Sequence, residues 1–155
     1  MRAASLCFVF FLLFPLLCMP DVPIKEIGRE EIFSAGPEWK EKYDAFQPRP
    51  ESIQKLKAML GDDLRVDIYL GLWCPDSRNH VPPFIKILDQ LGASVPIHYF
   101  SVQRKPAKSI RYYFEKTGVE RVPTFIFFRG DREIGRIVEN PENGLAEDMI
   151  AILSK

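Results

Sequence analysis

One cysteine stands where a nucleophile would be useful. Cys74 closes an apolar run and opens a polar turn in the stretch Asp67-Ile68-Tyr69-Leu70-Gly71-Leu72-Trp73-Cys74-Pro75-Asp76-Ser77. The run reads as a buried strand, and Pro75 suits the first turn of a helix. A thiol placed there meets unpaired backbone N–H groups and the positive end of the helix dipole, which stabilise a thiolate, the nucleophilic form. Arg78 adds a cation nearby, whereas Asp76 opposes it with a carboxylate beside the sulfur. The chemistry this supports is attack on a disulfide. The other reading of a lone cysteine is an inert buried thiol.

Other chemistries find little support. The remaining cysteines, Cys7 and Cys18, lie in a hydrophobic leader, so there is no disulfide framework. His80 and His98 are isolated and no His/Cys/carboxylate cluster has metal-ligand spacing, so neither a metal nor another cofactor is expected. Twenty-one Lys plus Arg balance twenty-one Asp plus Glu without a block of like charge, which removes nucleic acid as a favoured partner.

At 155 residues the chain is sized for one ordinary core plus an N-terminal extension. Residues 1–20 carry Arg2 and then the almost wholly apolar Leu6 to Leu17, the length of a signal-peptide core and short for a membrane span. They read as an export signal or an uncleaved anchor. A lipoprotein cysteine at Cys18 is the minority reading, because Pro15-Leu16-Leu17 lacks the small residue such a site needs. Export to a periplasmic, secreted or membrane-anchored extracytoplasmic location is expected, with membrane contact only through that anchor. Residues 21–50 read as an extension with a short helix laying Trp39, Tyr43 and Phe46 on the domain, and residues 51–155 as the domain proper.

Within it, Ile53, Leu56, Met59 and Leu60 mark a helix ending at Gly61, and Val66 to Leu72 a strand. The helix from Pro75 turns Val81, Phe84, Ile85, Leu88 and Leu91 inward, with a bend expected at Pro82-Pro83. Ile97 to Val102 is a strand, and a helix with Ile110, Tyr113 and Phe114 on one face ends at Gly118. Phe125 to Phe128 and Glu133 to Val138 form a hairpin across Arg129-Gly130-Asp131-Arg132. A last helix, opened by Pro141 or Asn143, carries Leu145, Met149, Ile150 and Leu153. This order implies a mixed sheet with helices on both faces.

Four landmarks in that order resemble the thioredoxin family: Trp73-Cys74 after a strand, Pro82 in the following helix, the strand-then-proline stretch Ser101 to Pro106, and Val119-Glu120-Arg121-Val122-Pro123-Thr124 before a hairpin. The resemblance covers about Ile53 to Leu153. It implies a thioredoxin-like three-layer α/β/α fold with a mixed central sheet, a cis bond at Val122-Pro123, and a substrate groove lined by Trp73, Pro75, Asp76, Val122, Pro123 and Glu139 around the catalytic positions Cys74 and Ser77.

Three departures stand out against that family. Ser77 replaces the second cysteine, which normally resolves the mixed disulfide; its hydroxyl is expected to hydrogen-bond the Cys74 thiolate. Ile68 stands where thioredoxins carry a buried carboxylate, and Asp67, one position off, points to the other face of the strand. Glu139 stands where a glycine usually flanks the groove, which narrows it and disfavours acidic or bulky partners. Two functions fit. One is a monothiol thiol–disulfide oxidoreductase acting on protein disulfides, with a low-molecular-weight thiol as resolving partner; the other is a non-enzymatic module binding extended peptide clients. The Pro-x-x-x-Thr-x-x-Cys pattern of peroxiredoxins is absent, and Trp-Cys-Pro-Asp-Ser differs from the Cys-Gly-Phe-Ser of cluster-binding glutaredoxins.

Overall fold

The computed structural model describes residues 24–92, 95–104 and 115–155. Five strands, β1 Ile24–Ile27, β2 Leu64–Leu70, β3 Ile97–Val102, β4 Thr124–Arg129 and β5 Arg132–Val138, form one sheet in the order β1-β3-β2-β4-β5. The central pair β2/β3 is parallel and the other three pairs are antiparallel. Parallel neighbours need a crossover, which the longest helix supplies. The helices are α1 Arg29–Ser34, α2 Pro37–Ala45, α3 Pro50–Met59, α4 Pro75–Leu91 and α5 Leu145–Leu153.

Period-two alternation along β2 divides the core. Val66, Ile68 and Leu70 join the main cluster with residues of helices α1 to α5, while Tyr69 joins Ile24, Val102, Val119 and Ile126 in a smaller cluster. Residues 115–117 are helical and lead into Val119 of that smaller cluster. The result is the expected three-layer α/β/α fold with a mixed central sheet. The helix face expected at Ile110, Tyr113 and Phe114 lies outside the described residues.

Helix α4 is held by its apolar face. Phe84 is fully buried, with its ring centroid 4.7 Å from Phe125 and 6.0 Å from Phe127 on β4. A fully buried side chain of this kind contributes about 1.5–3 kcal/mol. The helix continues unbroken through Pro82-Pro83, although neither proline can donate to the ladder. It stops where Gly92 takes a left-handed conformation (φ 64°), with its N–H bonded to the Asp89 carbonyl at 3.3 Å. This packing delivers the N-terminus of α4 to the end of β2.

The segment read as an N-terminal extension is built into the same sheet and core as the rest. Strand β1 pairs with β3 from Ile24↔Val102 to Ile27↔Tyr99, and Ile32 and Trp39 enter the main cluster. Four residues with a polar centre, Ile24-Lys25-Glu26-Ile27, carry too short an alternation to announce a strand. Tyr43, in the expected aromatic stripe on α2, packs edge-on against Phe33, with ring centroids 5.4 Å apart. Its hydroxyl donates to Asp89 of α4 at 2.5 Å, and the Arg29 guanidinium forks onto the same carboxylate at 2.6 and 2.5 Å. Among the described residues no helix is long and apolar enough to cross a membrane, and residues 1–20 lie outside them.

Burial works to raise the Asp89 pKa, but the hydrogen bonds from Arg29 and Tyr43 outweigh it and hold the carboxyl below its ordinary value. A carboxylate depressed in the fold stabilises above its unfolded pKa, about 3.9, and that contribution is lost as pH falls through the folded value. Asp89→Asn is therefore expected to cost about 1 kcal/mol at pH 7. Urea unfolding at a series of pH values should show the gap between the two proteins closing below about pH 3.9; a gap independent of pH would contradict this assignment.

Candidate functional site

The turn from β2 into α4 is fastened at Gly71. Its carbonyl accepts the Cys74 N–H at 2.9 Å, and its own N–H donates to the Ser77 hydroxyl oxygen at 3.1 Å. Cys74 thereby becomes the N-cap of a 17-residue helix, with Pro75 at the first helical position. The N–H groups of Asp76 and Ser77, second and third in the helix, have no acceptor inside it and are available to an anion at the cap.

Trp73 folds back over the turn. Its indole N–H donates to the Val102 carbonyl at the end of β3 at 2.9 Å, and the Arg104 guanidinium lies 5.8 Å from the ring. Trp73 is 44% exposed, so the residue stays open to solvent at the groove. A Cβ at residue 71 would lie 2.8 Å from the Trp73 Cε2 and 3.2 Å from the Cys74 Cβ, so glycine is what lets the indole close down.

The opposite wall is the loop before β4. The Val122-Pro123 bond is cis, as the resemblance implies, and the Cys74 thiol donates to the Val122 carbonyl at 3.3 Å. Thr124 fixes the loop from below, its hydroxyl donating to the Arg121 carbonyl at 2.7 Å. Glu139 fixes it from the side: its N–H donates to the Pro123 carbonyl at 2.7 Å. Glu139 has φ 57°, the one left-handed non-glycine backbone among the described residues. Its carboxylate accepts from Arg121 at 2.9 Å, and that hydrogen bond raises the Arg121 pKa.

A groove of about 530 Å³ runs between these walls. Trp73, Cys74, Pro75, Asp76, Val122 and Glu139 line it, and Pro123 is buried behind Val122. Cys74 itself is only 6% exposed, so an approaching group reaches the sulfur through this groove. Val102, Arg104, Glu120 and Arg121 line the groove as well, and sequence reasoning missed them as site residues. Their signal was proximity in the chain to the Val122-Pro123 and β3-end landmarks, which single residue types do not carry.

Two expectations about neighbours of the sulfur change. Ser77 is fully buried and its oxygen serves the Gly71 N–H, so among the described residues its partner is the turn backbone and not the Cys74 sulfur. Arg78 pairs with Glu38 of α2 at 2.6 Å, so its partner lies on the neighbouring helix, and the pair ties α2 to α4. The Glu38 carboxyl lies below its ordinary value, through its own backbone N–H first and Arg78 second. Ile68 is fully buried in the main cluster, and Asp67 lies on the other face, hydrogen-bonded to Arg65 at 3.1 Å. Burial raises the Asp67 pKa, with Arg65 pulling against it. The sheet therefore separates this carboxyl from the α4 side. Among the described residues no group of His, Cys and carboxylates could hold a metal.

Gly71→Ala is expected to push the indole off the Val102 carbonyl and to cost about 1–3 kcal/mol, the range for overpacking. Trp39, the other tryptophan, is 1% exposed, so acrylamide quenching reports chiefly on Trp73. Stronger quenching in the variant is the predicted result; unchanged quenching and stability would contradict the contact.

Comparison with known structures and families bears on what this geometry belongs to. A protein of unknown function from Pseudomonas aeruginosa superposes with a TM-score of 0.59 at 14% identity, over 82% of this chain and 86% of that one. An HIV epitope-scaffold gives 0.59 and 14%, over 82% and 87%. At such identities the likeness is one of fold. A comparison with curated proteins gave no match. The family model described as Thioredoxin matches residues 35–151, more than half of the chain and all of the groove. The chain belongs to the thioredoxin family.

Proposed function

We propose that the protein is a monothiol thiol–disulfide oxidoreductase. The Cys74 thiolate attacks one sulfur of a client disulfide. The client S–S bond breaks as the Cys74–client bond forms, and the second client sulfur leaves as a thiolate that takes a proton from solvent. An external low-molecular-weight thiolate then attacks the client sulfur of the mixed disulfide; the Cys74–client bond breaks, Cys74 leaves as a thiolate, and the client sulfur passes into a disulfide with the external thiol. The observation that carries this reading is the site of Cys74: the cap of α4, in a groove floored by the Val122 carbonyl, with a buried serine where a second thiol would stand. Trp73, Pro75, Asp76, Val122 and Glu139 are the client-binding residues in this proposal, the buried Pro123 shapes the loop that carries Val122, and Ser77 positions the turn that presents the thiol.

The 6% exposure of Cys74 beside a 44% exposed Trp73 favours a second reading, capture of extended peptides without chemistry. Insulin reduction and glutathione-adduct turnover by wild type and Cys74→Ala separate the two. The redox reading predicts loss of both activities in the variant, and equal rates would sink it. The binding reading predicts that client capture survives Cys74→Ala and fails in Val122→Arg.

The apolar run Leu6 to Leu17 supports a further part of the proposal, export, with residues 1–20 as signal or anchor and the domain acting on the extracytoplasmic side. Residues 1–20 fused to a phosphatase that is active only after export are predicted to yield activity; an inactive, cytoplasmic fusion would remove this part.

A further inference from the structure

The two walls of the groove are charged unequally, and the difference centres on Glu139. Its backbone is left-handed and its N–H is bonded to the Pro123 carbonyl, so the carboxylate projects from a fixed point at the rim. Its side chain is 33% exposed, while that of its partner Arg121 is 65% exposed. The carboxylate is thus the held member of the pair and Arg121 the replaceable one. An ion pair this open to water contributes little to stability, so exchanging one cation for another costs little. Across the groove, Arg104 lies over the Trp73 ring. Asp76 and Glu120 add two more carboxylates to the lining.

We infer that Glu139 selects clients: an extended peptide whose cysteine is flanked by Lys or Arg places that cation on the Glu139 carboxylate, displacing Arg121. This rests on the reading of the groove as the client site. A flanking Asp or Glu instead meets a lining in which Glu139, Asp76 and Glu120 outnumber Arg104 and Arg121, and is disfavoured by like charge. The interaction works while the sulfur is delivered to Cys74, so it governs which disulfide reacts and leaves the chemical step alone.

The test uses short peptides that differ only in Lys, Gln or Glu beside one cysteine, each loaded as a mixed disulfide with thionitrobenzoate. Attack by Cys74 on the peptide sulfur breaks that S–S bond and forms the Cys74–peptide bond. Thionitrobenzoate leaves as a coloured thiolate, and the Cys74 proton goes to buffer. Wild type is expected to react about fivefold faster with the Lys peptide than with the Glu peptide at low salt, a preference that fades as salt rises. Glu139→Gln should bring the ratio close to unity and Glu139→Lys should invert it. Arg121→Gln, which leaves the carboxylate unpaired, should enlarge it. The same ratio in all four proteins would overturn the inference.

Failure of the underlying reading looks different. Release no faster than in Cys74→Ser would remove the thiol chemistry, yet the charge selection would still be decided by peptides carrying serine in place of cysteine. Their affinities, read by fluorescence anisotropy, should follow the same order across the four proteins; equal affinities for Lys and Glu peptides would overturn it.

Discussion

Both backbone groups of Gly71 are engaged inside one turn, the carbonyl by the Cys74 N–H and the N–H by the Ser77 hydroxyl oxygen, and the site depends on this lock. It converts the end of β2 into the start of α4 within four residues. It sets Cys74 at the cap and lets the indole of Trp73 lie across a position that has no side chain. Ser77 is accordingly more than a missing cysteine. A hydroxyl oxygen accepts a backbone N–H well and a thiol sulfur accepts it poorly, so serine at this position strengthens the turn that a second thiol would have used for chemistry. The bond that fastens the turn under Cys74 is thus made by the serine itself.

The lock is useful only because the rest of the fold presses a second wall against it. Helix α4 is pinned to β4 by Phe84 against Phe125 and Phe127, and β4 begins immediately after Pro123. The same strand that anchors the helix therefore carries the loop whose Val122 carbonyl meets the thiol. On the outer side, Arg29 and Tyr43 tie the N-terminal elements to Asp89, and Glu38 ties α2 to Arg78. Residues that resembled an extension thus help to hold the helix that presents Cys74.

Much of this was legible in the residues. Apolar periodicity marked α4 from Pro75 to Gly92 and the strand Ile97–Val102, because burial on one face leaves a regular trace. Val119 to Pro123 before a hairpin pointed to the cis bond by family likeness. The partners of short polar groups were not legible. Arg78 looked like a cation for the sulfur and pairs with Glu38, and Ser77 looked like a donor to the thiolate and serves Gly71. For Arg78 a neighbour in sequence competes with a partner forty residues away, and the packing of α2 on α4 decides between them; for Ser77 the turn itself decides. β1 was missed because four residues carry almost no periodic signal.

Glu139 shows how one residue can matter at two levels: its backbone N–H braces the proline loop, and its carboxylate, paired with Arg121, lines the groove. The central claim remains that Cys74 reacts through the groove and cannot free itself. Intact-mass spectrometry of the native protein incubated with glutathione disulfide, with the adduct located by peptide mapping, tests this directly. The account predicts one adduct, on Cys74, that persists until an external thiol is added. No adduct on Cys74, or an adduct there that is lost without added thiol, would contradict it.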